Sequence, residues 1–420
     1  MQLGVIADDF TGATDIASFL VKNGMSAIQL NGVPQKALTI DSDAVVISLK
    51  TRSCDPQLAI EQSLAALHWL QKQGCQQFYF KYCSTFDSTA KGNIGPVLDA
   101  LLAKLSEETT VISPALPVNG RTVYQGYLFV GHQLLSESGM RHHPVTPMTE
   151  ANLQHLIAAQ AQGKPGLIDY SIVEQGTEAV RQQLDVLTKT GINYVVLDAL
   201  NEQHLLTQGE AVQGLKLVSG GSGLAIGIAQ AWAKKQGEIK ENSSAGVPVS
   251  GPAIVLSGSC SEMTNTQVKA YRQQAPAKSL DLAKCFADLD QYVTQISTWV
   301  REYANAPLAP LVYATTEPET LKQSQATYGS KASSEIVERF FSCLAADLLE
   351  QGFKRFIVAG GETSSSVAQT LGVTAFHIGP VISPGVPWVR DTEQALSLAL
   401  KSGNFGDENF FARAQQEFPV

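Results

Sequence analysis

The chain has 420 residues, of which 30 are Lys or Arg and 39 are Asp or Glu, so its formal net charge is −9. Apolar residues make up 44% and charged residues 16%, a globular composition that excludes a disordered or fibrous chain. The negative charge argues against nucleic acid and against an anionic membrane surface as partners. Small anionic ligands stay open, because local N–H groups and a few basic side chains can bind them on an acidic protein.

Segments that would direct the chain to a membrane or out of the cell are not predicted. No run reaches 18 apolar residues, and the N-terminus lacks the basic region of a signal peptide. The six cysteines show no C-x-x-C spacing and no Cys/His cluster, so they predict no zinc site. We therefore expect a cytoplasmic protein with reduced thiols. Whether it forms a homo-oligomer stays open.

Apolar strands alternate with helical patterns through the first half of the chain. Predicted strands lie at 3–7, 27–30, 44–49, 78–83, 110–112, 194–200 and 215–219, and predicted helices at 13–23, 56–74, 94–105 and 223–235. This alternation predicts a mainly parallel sheet with helices on both faces. The stretch 114–150, rich in Pro, Gly and His, is predicted to be irregular, which is typical of functional or mobile segments.

A polar segment rich in Gly, Ser and Pro at 236–252 predicts a linker. Beyond it, strands are predicted at 253–258, 311–315 and 356–360, and helices at 262–274, 334–351 and 364–371. The fold class is therefore predicted as α/β with two domains, about 1–240 and 250–420. Each is expected to have a mainly parallel sheet flanked by helices, with the active site in the cleft between them.

Two adjacent carboxylates, Asp8 and Asp9, follow the first predicted strand. Ligands of α/β sheets bind at the carboxyl ends of strands, where carboxylates can hold sugar hydroxyls, position Mg²⁺ or accept a proton from an alcohol. Helix capping explains one of the two, whereas the second is less easily explained. Our hypothesis is that Asp9 is the catalytic base, with Asp87 and Asp8 as the alternatives.

Basic residues follow or end two further strands. Arg52 follows the strand at 44–49 and can bind a carboxylate or a phosphate with two parallel hydrogen bonds. Lys81 falls inside the apolar strand at 78–83, where an unpaired ammonium is costly, so it should face a partner or a ligand. The structural alternative is an ion pair of Lys81 with Asp87, with Arg52 in solvent.

The strand ends converge on one edge of the predicted sheet, which favours a site for a small, polar, anionic ligand. Asn119 and Arg121 in the irregular stretch add hydrogen-bond donors that suit a hydroxy acid. The predicted substrate-binding residues are Asp8, Arg52, Lys81, Ser84, Asn119 and Arg121.

Two loops rich in Gly and Ser follow strands of the second half, at 257–261 and 359–366. Small residues let the backbone approach a ligand closely, and a helix N-terminus after such a loop favours phosphate. Neither loop matches the P-loop or the dinucleotide-binding motif. Ordinary tight turns and phosphate binding stay open as equal alternatives. The segment 401–406 is either a third wall of such a site or a helix C-terminus with a capping glycine.

Several segments in order resemble the four-carbon acid sugar kinases, and the resemblance spans essentially the whole chain. They are ADDFTGATD (7–15), KYCSTFDSTAKGNIG (81–95), the P-x-x-P-x-x-G-R stretch (114–121) with its continuation to HPVTPM (143–148), SGSCS (257–261) and AGGETSS (359–365). The resemblance implies ATP-dependent phosphorylation of the terminal 4-hydroxyl of a four-carbon acid. It favours 3-oxo-tetronate as the acceptor, with threonate and erythronate as the alternatives. It also implies that 1–240 binds the sugar acid and that 250–420 binds the nucleotide.

The same resemblance implies the nucleotide-binding residues and the cofactors. Nucleotide binding is carried over to Ser257, Gly258, Ser259, Gly360, Gly361, Glu362, Thr363 and Gly403. ATP and Mg²⁺ are the implied cofactors, with Mg²⁺ bridging the phosphates through ligands that the sequence does not identify. Two other classes compete with a kinase. A non-catalytic sugar-acid sensor would need no nucleotide, and a dinucleotide oxidoreductase would be expected to carry G-x-G-x-x-G.

Overall fold

The computed structural model describes residues 2–34, 38, 40–142, 146–237, 246–315 and 326–418. The chain divides into two compact units, Met1–Ser243 and Ser244–Val420, and each is described by itself. Among the helices of these described ranges, none combines the length and the apolar character that crossing a membrane requires. Part of the predicted linker at 236–252 falls on residues 238–245, and part of the predicted motif at 143–148 falls on residues 143–145. Both of these ranges lie outside the described residues.

The first unit alternates strands and helices, as the sequence predicts. Its strands are β1 (Leu3–Ala7), β2 (Ala27–Asn31), β3 (Ala44–Ser48), β4 (Gln77–Lys81), β5 (Thr110–Ser113), β6 (Arg121–Tyr124), β7 (Tyr127–Val130), β8 (Gln133–Leu134), β9 (Pro165–Ile168), β10 (Tyr194–Leu197) and β11 (Leu217–Gly220). Its α-helices are α1 (Phe10–Lys22), α2 (Pro56–Lys72), α3 (Ile94–Leu105), α4 (Leu153–Ala158), α5 (Tyr170–Val173), α6 (Thr177–Lys189), α7 (Glu202–Ala211) and α8 (Gly223–Gln236).

A parallel sheet forms the centre of this unit, in the order β2-β3-β1-β4-β11-β5-β10-β9. Every residue of β1, β3 and β4 is buried, which is the pattern of strands covered on both faces. The register pairs Ala7 with Ser48 on one side and with Lys81 on the other. The residues that follow these three strands therefore begin at the same edge of the sheet.

The stretch predicted to be irregular contains a small antiparallel sheet, β6-β7-β8. Gln125 and Gly126 connect β6 to β7 with φ values of 51° and 76°, and positive φ at both central residues is the pattern of a type I′ hairpin turn. The buried carboxylate of Asp198 accepts hydrogen bonds from both of their N–H groups, at 2.6 and 2.8 Å. The prediction was wrong here because the strands are short and Gln is not a usual residue for this turn.

The second unit has strands β12 (Ala253–Ser257), β13 (Ala277–Ser279), β14 (Leu311–Tyr313), β15 (Arg355–Ala359), β16 (Ala375–Ser383), β17 (Val386–Asp391) and β18 (Ser397–Lys401). Its described α-helices are α9 (Glu262–Tyr271), α10 (Leu282–Ala287), α11 (Leu289–Glu302), α12 (Ser330–Glu350), α13 (Gly361–Thr370) and α14 (Phe410–Gln416). The fold class is thus α/β with two domains, as predicted.

The sheet of the second unit runs in the order β13-β14-β12-β15-β18-β17-β16. The pairings from β13 to β18 are parallel, whereas β17 pairs antiparallel with both β18 and β16. Trp388 of β17 is fully buried in a core cluster with Tyr271 of α9 and Phe411 of α14. Ala359 of β15 pairs with Ser257 on one side and with Lys401 on the other, so three strands end together. Lys401 ends a strand, and the alternative of a helix C-terminus at 401–406 is wrong.

Candidate functional site

The two carboxylates after β1 have different local roles. Asp9 is the N-cap of α1, and its Oδ1 accepts a hydrogen bond from the Gly12 N–H at 2.9 Å. The helix therefore begins at Phe10 rather than at the predicted residue 13, because the cap lies before the glycine that suggested a turn. Asp8 continues the strand edge: its N–H donates to the Lys81 carbonyl, and its own carbonyl accepts from the N–H groups of Thr51 and Arg52.

Arg52 joins the acidic residues into one cluster. Its Nε and Nη2 donate to the two carboxylate oxygens of Asp8 at 2.9 and 2.8 Å, and Nη2 also donates to Asp9 Oδ1 at 2.7 Å. Nη1 lies 3.9 Å from Asp87 Oδ2. Burial opposes the charge of Arg52, but Asp8 and Asp9 outweigh it and hold the pKa of Arg52 well above its ordinary value. The alternative of a Lys81–Asp87 ion pair with a solvated Arg52 is wrong.

The three candidate bases differ in which oxygens are already occupied. Both oxygens of Asp8 accept from Arg52, and its side chain is 7% exposed. Asp87 is 11% exposed and accepts from Thr85 Oγ1 through Oδ1 at 2.5 Å. Asp9 is 29% exposed, and no described residue donates a hydrogen bond to its Oδ2. Among the three, Asp9 therefore has the most accessible carboxylate oxygen.

Lys81 ends β4 and is 3% exposed. A Cβ placed on Gly12 would lie 2.3 Å from Lys81 Nζ and 2.3 Å from Asp9 Oδ1, so a side chain here would displace both charged groups. Asp15, one turn further along α1, accepts a hydrogen bond from Ser222. Burial raises the pKa of Asp15, and the nearby Lys81 ammonium opposes that rise. No described residue accepts a hydrogen bond from Lys81 Nζ.

Sequence reasoning missed Asp15 and Ser222. Asp15 lies one helical turn after Gly12, which puts the two residues on the same face of α1, and this spacing could have identified Asp15 as part of the site. Ser222 follows β11, whose final residue Gly220 pairs with Lys81, but the sequence does not show that β11 lies beside β4. Strand order is a long-range property that local patterns do not carry.

The remaining predicted substrate residues lie around this cluster to different extents. Ser84 is part-buried, and a Cβ on Gly221 would contact its Cα at 3.4 Å. The Arg121 guanidinium, like the Lys81 ammonium, opposes the rise in the pKa of Asp15, so it lies within electrostatic reach of that carboxylate. The buried Nε of Arg121 has no hydrogen-bond acceptor. Asn119 takes part through its carbonyl oxygen, which accepts from Arg121 Nη1.

In the second unit, the loops after β12 and β15 pack directly on each other. The N–H groups of Gly258 and Ser259 donate to the Ala359 carbonyl at 2.9 and 3.2 Å. A Cβ on Gly258 would lie 2.1 Å from Thr363 Oγ1, so a side chain here would displace the Thr363 hydroxyl. Gly360 has φ of 125°, a conformation that favours glycine. The backbone conformation favours glycine at 360, whereas at 258 glycine leaves room for the Thr363 side chain.

These loops form one side of a cavity of ≈ 850 Å³, within the usual size range of small-molecule sites. Helix α13 begins at Gly361, earlier than the predicted 364, and its N-cap Gly360 supplies no side-chain hydrogen bond. A Cβ on Gly361 would have no atom within 4 Å, so this position faces open space. The cavity is lined by residues 258–260 and 360–363, and across from them by residues 279–283, Ala314, Tyr328, Ser333, Ser334 and Val337.

Two predicted nucleotide residues lie behind the cavity wall. Ser257 is fully buried, and its Oγ lies within hydrogen-bond distance of Thr315 Oγ1 at 2.6 Å. A Cβ on Gly403 would lie 2.5 Å from Ser259 Oγ and 2.8 Å from Ser261 Oγ, so the segment after β18 supports the first loop. The structure thus brings the predicted residues together, six at the cavity and two behind it.

Acidic side chains also lie beside this cavity. Glu362 is in the first turn of α13, and the pKa of Glu338 on α12 is raised by burial and by the neighbouring Glu362. The described residues contain no group of three or more His, Cys, Asp or Glu side chains that could hold a metal. Mg²⁺ typically takes one or two protein carboxylates and completes its shell with phosphate oxygens and water. The Glu338/Glu362 pair fits that requirement.

Comparisons with known proteins agree on both units. Residues 3–228 match a family model described as a sugar-binding N-terminal domain, and residues 254–411 match one described as a nucleotide-binding C-terminal domain. The chain is 62% identical to the 3-oxo-tetronate kinase of Pectobacterium atrosepticum, covering 100% of this chain and 99% of that relative. It is 59% identical to the 3-oxo-tetronate kinase of Salmonella typhimurium LT2, covering 100% of both.

Two solved structures share the fold over nearly the full length. A crystal structure from Salmonella typhimurium LT2, described as a candidate tRNA synthase, has a TM-score of 0.95 and 59% identity, covering 99% of each chain. A crystal structure from Haemophilus influenzae has a TM-score of 0.90 and 53% identity, covering 99% of this chain and 100% of that one.

Proposed function

Because the chain belongs to the four-carbon acid sugar kinase family, we propose that it transfers the γ-phosphoryl group of ATP to the 4-hydroxyl of 3-oxo-tetronate. The product is 3-oxo-tetronate 4-phosphate. Curated relatives of that name are 54–62% identical over nearly the whole chain, which supports this acceptor over threonate and erythronate. The observation in the structure that carries the proposal is the uncapped N-terminus of α13, which opens into a cavity of nucleotide size.

The phosphates of ATP are assigned to the side of the cavity formed by residues 258–260 and 360–363. The first N–H groups of α13 lack intrahelical acceptors, and the helix dipole adds positive potential at that end. Gly361 leaves open space there, so backbone N–H groups can approach phosphate oxygens directly. This arrangement binds an anion without a cluster of basic side chains, which is consistent with a chain of net charge −9.

Mg²⁺ is assigned to the acidic side chains beside the same loops. Glu362 and Glu338 would hold it together with phosphate oxygens. When bound, the ion neutralises charge that develops on the phosphates during transfer. A cation there would also relieve the repulsion between the two carboxylates.

The carboxylate of the sugar acid is assigned to Lys81 and Arg121. Lys81 is buried, and no described residue accepts a hydrogen bond from its ammonium, while the buried Nε of Arg121 has no acceptor, so both have donors left for a ligand. Arg52 was predicted to bind the acid as well, but its Nε and Nη2 are engaged by Asp8 and Asp9. We assign Arg52 instead to holding the carboxylates in place.

Asp9 is assigned as the general base. Its Oδ1 is fixed by the Gly12 N–H and by Arg52, which orients the carboxylate and leaves Oδ2 for the 4-hydroxyl proton. Phosphoryl transfer needs in-line positioning and charge neutralisation more than covalent chemistry, so a well-oriented base near the acceptor hydroxyl is enough. Asp87 is the second choice, because the contact of its Oδ2 with Arg52 is longer, at 3.9 Å, and among the described residues no other group holds this oxygen.

A tRNA substrate, which the label of one solved neighbour suggests, is not favoured. Recognition of nucleic acid relies on a basic surface to neutralise phosphates, and this chain carries 39 acidic against 30 basic residues. The curated relative from the same Salmonella typhimurium strain is named 3-oxo-tetronate kinase at the same 59% identity.

A thermal-shift experiment separates the kinase from its competitors. We expect Mg-ATP to raise the melting temperature at millimolar concentration, since a ligand that binds only the folded state stabilises it. NAD should leave the melting temperature unchanged. A rise with the four-carbon acid but none with Mg-ATP would instead indicate a sugar-acid sensor, and a rise with NAD would indicate an oxidoreductase.

A further inference from the structure

Lys401 is a buried lysine at the end of β18, directly behind the loops of the cavity. Its side chain is 1% exposed. Nζ donates to Thr264 Oγ1 at 3.2 Å and to the carbonyls of Ser402 and Gly403 at 3.0 and 2.9 Å. Three acceptors around one nitrogen match the three protons of an ammonium, whereas a neutral amine has only two.

This ammonium has no counter-ion in the described part of the chain. Burial alone lowers the pKa of Lys401 to about 7. The charged side chains on the elements packed around it are Glu262 and Lys269 on α9, Glu362 on α13, Arg413 on α14, Arg355 on β15, and Arg390 and Asp391 on β17. None of them is a cause of the shift. A buried ammonium without a counter-ion destabilises the fold, so the presence of Lys401 here indicates a role other than stability.

Contacts of Lys401 reach both loops of the cavity. Its carbonyl oxygen accepts a hydrogen bond from the Gly360 N–H at 2.9 Å, which fixes the start of α13. Its ammonium holds the Gly403 carbonyl, which also accepts from Thr264 Oγ1 at 2.6 Å. Gly403 in turn packs against Ser259, which lines the cavity. One residue therefore supports the two walls at which the phosphates are assigned.

We propose that Lys401 is a positioning residue for the nucleotide phosphates, whose buried ammonium holds the Gly403 segment against the first loop and supplies the positive charge that bound phosphate balances. This inference rests on the proposed nucleotide site. The bound phosphate takes the place of the missing counter-ion, so nucleotide binding favours the protonated form of Lys401. By linkage, nucleotide affinity is then highest when Lys401 is already protonated and falls as the pH rises above 7.

Calorimetric titration of ADP at pH 7.5 and pH 9.0 tests this role, since the terminal phosphate of ADP is mostly ionised at both. We expect the wild-type Kd to rise roughly tenfold between the two, because a tenfold change accompanies each pH unit over which binding takes up one proton. In Lys401→Met the Kd should be roughly tenfold weaker than wild type at pH 7.5 and nearly the same at both pH values. Lys269→Met, which removes an exposed lysine from α9, should behave like wild type.

The outcomes are distinguishable. A wild-type Kd that does not change with pH overturns the role of Lys401 while leaving the nucleotide site intact, and it does so even if Lys401→Met fails to fold. A Lys401→Met variant that binds ADP with the wild-type Kd and the wild-type pH dependence also overturns it. If wild type binds no ADP at pH 7.5, the proposed nucleotide site itself is wrong, and the role of Lys401 falls with it.

Discussion

Arg52 donates two parallel hydrogen bonds to the Asp8 carboxylate, from Nε at 2.9 Å and from Nη2 at 2.8 Å. The same Nη2 reaches Asp9 Oδ1 at 2.7 Å. Asp8 therefore holds the Arg52 guanidinium in place, and Arg52 in turn orients the Asp9 carboxylate that we assign as the base. The two neighbouring carboxylates thus have different roles: Asp8 stabilises the cluster, and Asp9 acts on the substrate.

Asp8→Asn should destabilise the first unit. The substitution removes the negative charge that pairs with the Arg52 guanidinium, and it replaces one of the two Asp8 oxygens that accept from Arg52. We therefore expect the free energy of unfolding to fall by about 2 kcal/mol. Urea denaturation measures this. Glu178→Gln, in an exposed contact with Arg181, is the matched control and should cost less than about 0.5 kcal/mol. Equal effects of the two substitutions would contradict the structural role of Asp8.

Asp9→Asn should remove activity without unfolding the chain. Asn is as good an N-cap as Asp, and its Oδ1 still accepts from Gly12 and Arg52, so α1 should keep its start. We expect kcat to fall roughly 100-fold, the usual scale of general base catalysis, with the KM for ATP within a few-fold of wild type. Steady-state kinetics of Asp9→Asn and Asp87→Asn, measured side by side, compare the two candidate bases. If Asp9→Asn keeps nearly full kcat while Asp87→Asn loses it, the base is Asp87.

Gly361→Val should weaken ATP binding selectively. The new side chain would project into open space at the start of α13, where the phosphates are assigned, and would meet no protein atom within 4 Å of its Cβ. We expect the Kd for ATP to rise at least roughly tenfold, the equivalent of about 1.4 kcal/mol. The Kd for the sugar acid and the melting temperature should stay at wild-type values.

Gly258→Ala provides the contrast for that experiment. Its Cβ would lie 2.1 Å from Thr363 Oγ1, so the Thr363 side chain or the loop that carries it must shift, and overpacking of this kind costs about 1–3 kcal/mol. Its melting temperature should therefore fall. A lower melting temperature for Gly361→Val, together with equal weakening of both ligands, would indicate misfolding and not a phosphate site.

Lys401→Met should change how stability depends on pH. The folded-state pKa of Lys401 is lowered to about 7, against 10.5 for an unperturbed lysine, so between these values the unfolded state binds more protons than the folded state. The free energy of unfolding of the wild type therefore rises with pH over this window, by at most about 1.4 kcal/mol per pH unit. The destabilisation caused by burying the charged lysine is fully present below pH 7. Without nucleotide, Lys401→Met should be the more stable protein at pH 6.5.

Urea denaturation of both proteins from pH 6.5 to 9.5 measures that difference. The stability advantage of Lys401→Met should shrink steadily as the pH rises. A lysine that served only the fold would give the opposite result, with the variant less stable at every pH. A constant difference across the range would show that Lys401 does not titrate there.

Local patterns predicted the ends of β1 and β3 to within one residue, because these buried parallel strands are continuous apolar runs bounded by polar residues. The strand predicted at 78–83 ends two residues earlier, at Lys81. The carboxyl ends of parallel strands meet at one edge, and this alone brought Asp8, Arg52 and Lys81 near one another. The same rule brought the loops after β12 and β15 together, since Ser257 and Ala359 are register partners.

Pairing within a cluster could not be predicted. Whether Arg52 faces solvent, Asp8 or a ligand depends on side-chain geometry that no spacing encodes, so the sequence left the Lys81–Asp87 ion pair open as an alternative, which the structure contradicts. The counter-ion of a lysine is equally non-local. Lys401 is unusual because its three hydrogen-bond acceptors, on Thr264 of α9 and on Ser402 and Gly403 directly after it, are all neutral, and the sequence around it shows only a lysine before Ser and Gly. The hairpin at Gln125 was missed because Asp198, distant in sequence, stabilises it.

A coupled assay of ADP release across a small panel of four-carbon acids tests the central claim most directly. With Mg-ATP present, we predict that 3-oxo-tetronate gives the highest kcat/KM, that threonate and erythronate give much lower values, and that the product carries phosphate on the 4-hydroxyl. No ADP release above the ATP-only background with any acid of the panel would contradict a kinase of this family. A clear preference for threonate or erythronate would keep the kinase and overturn the acceptor.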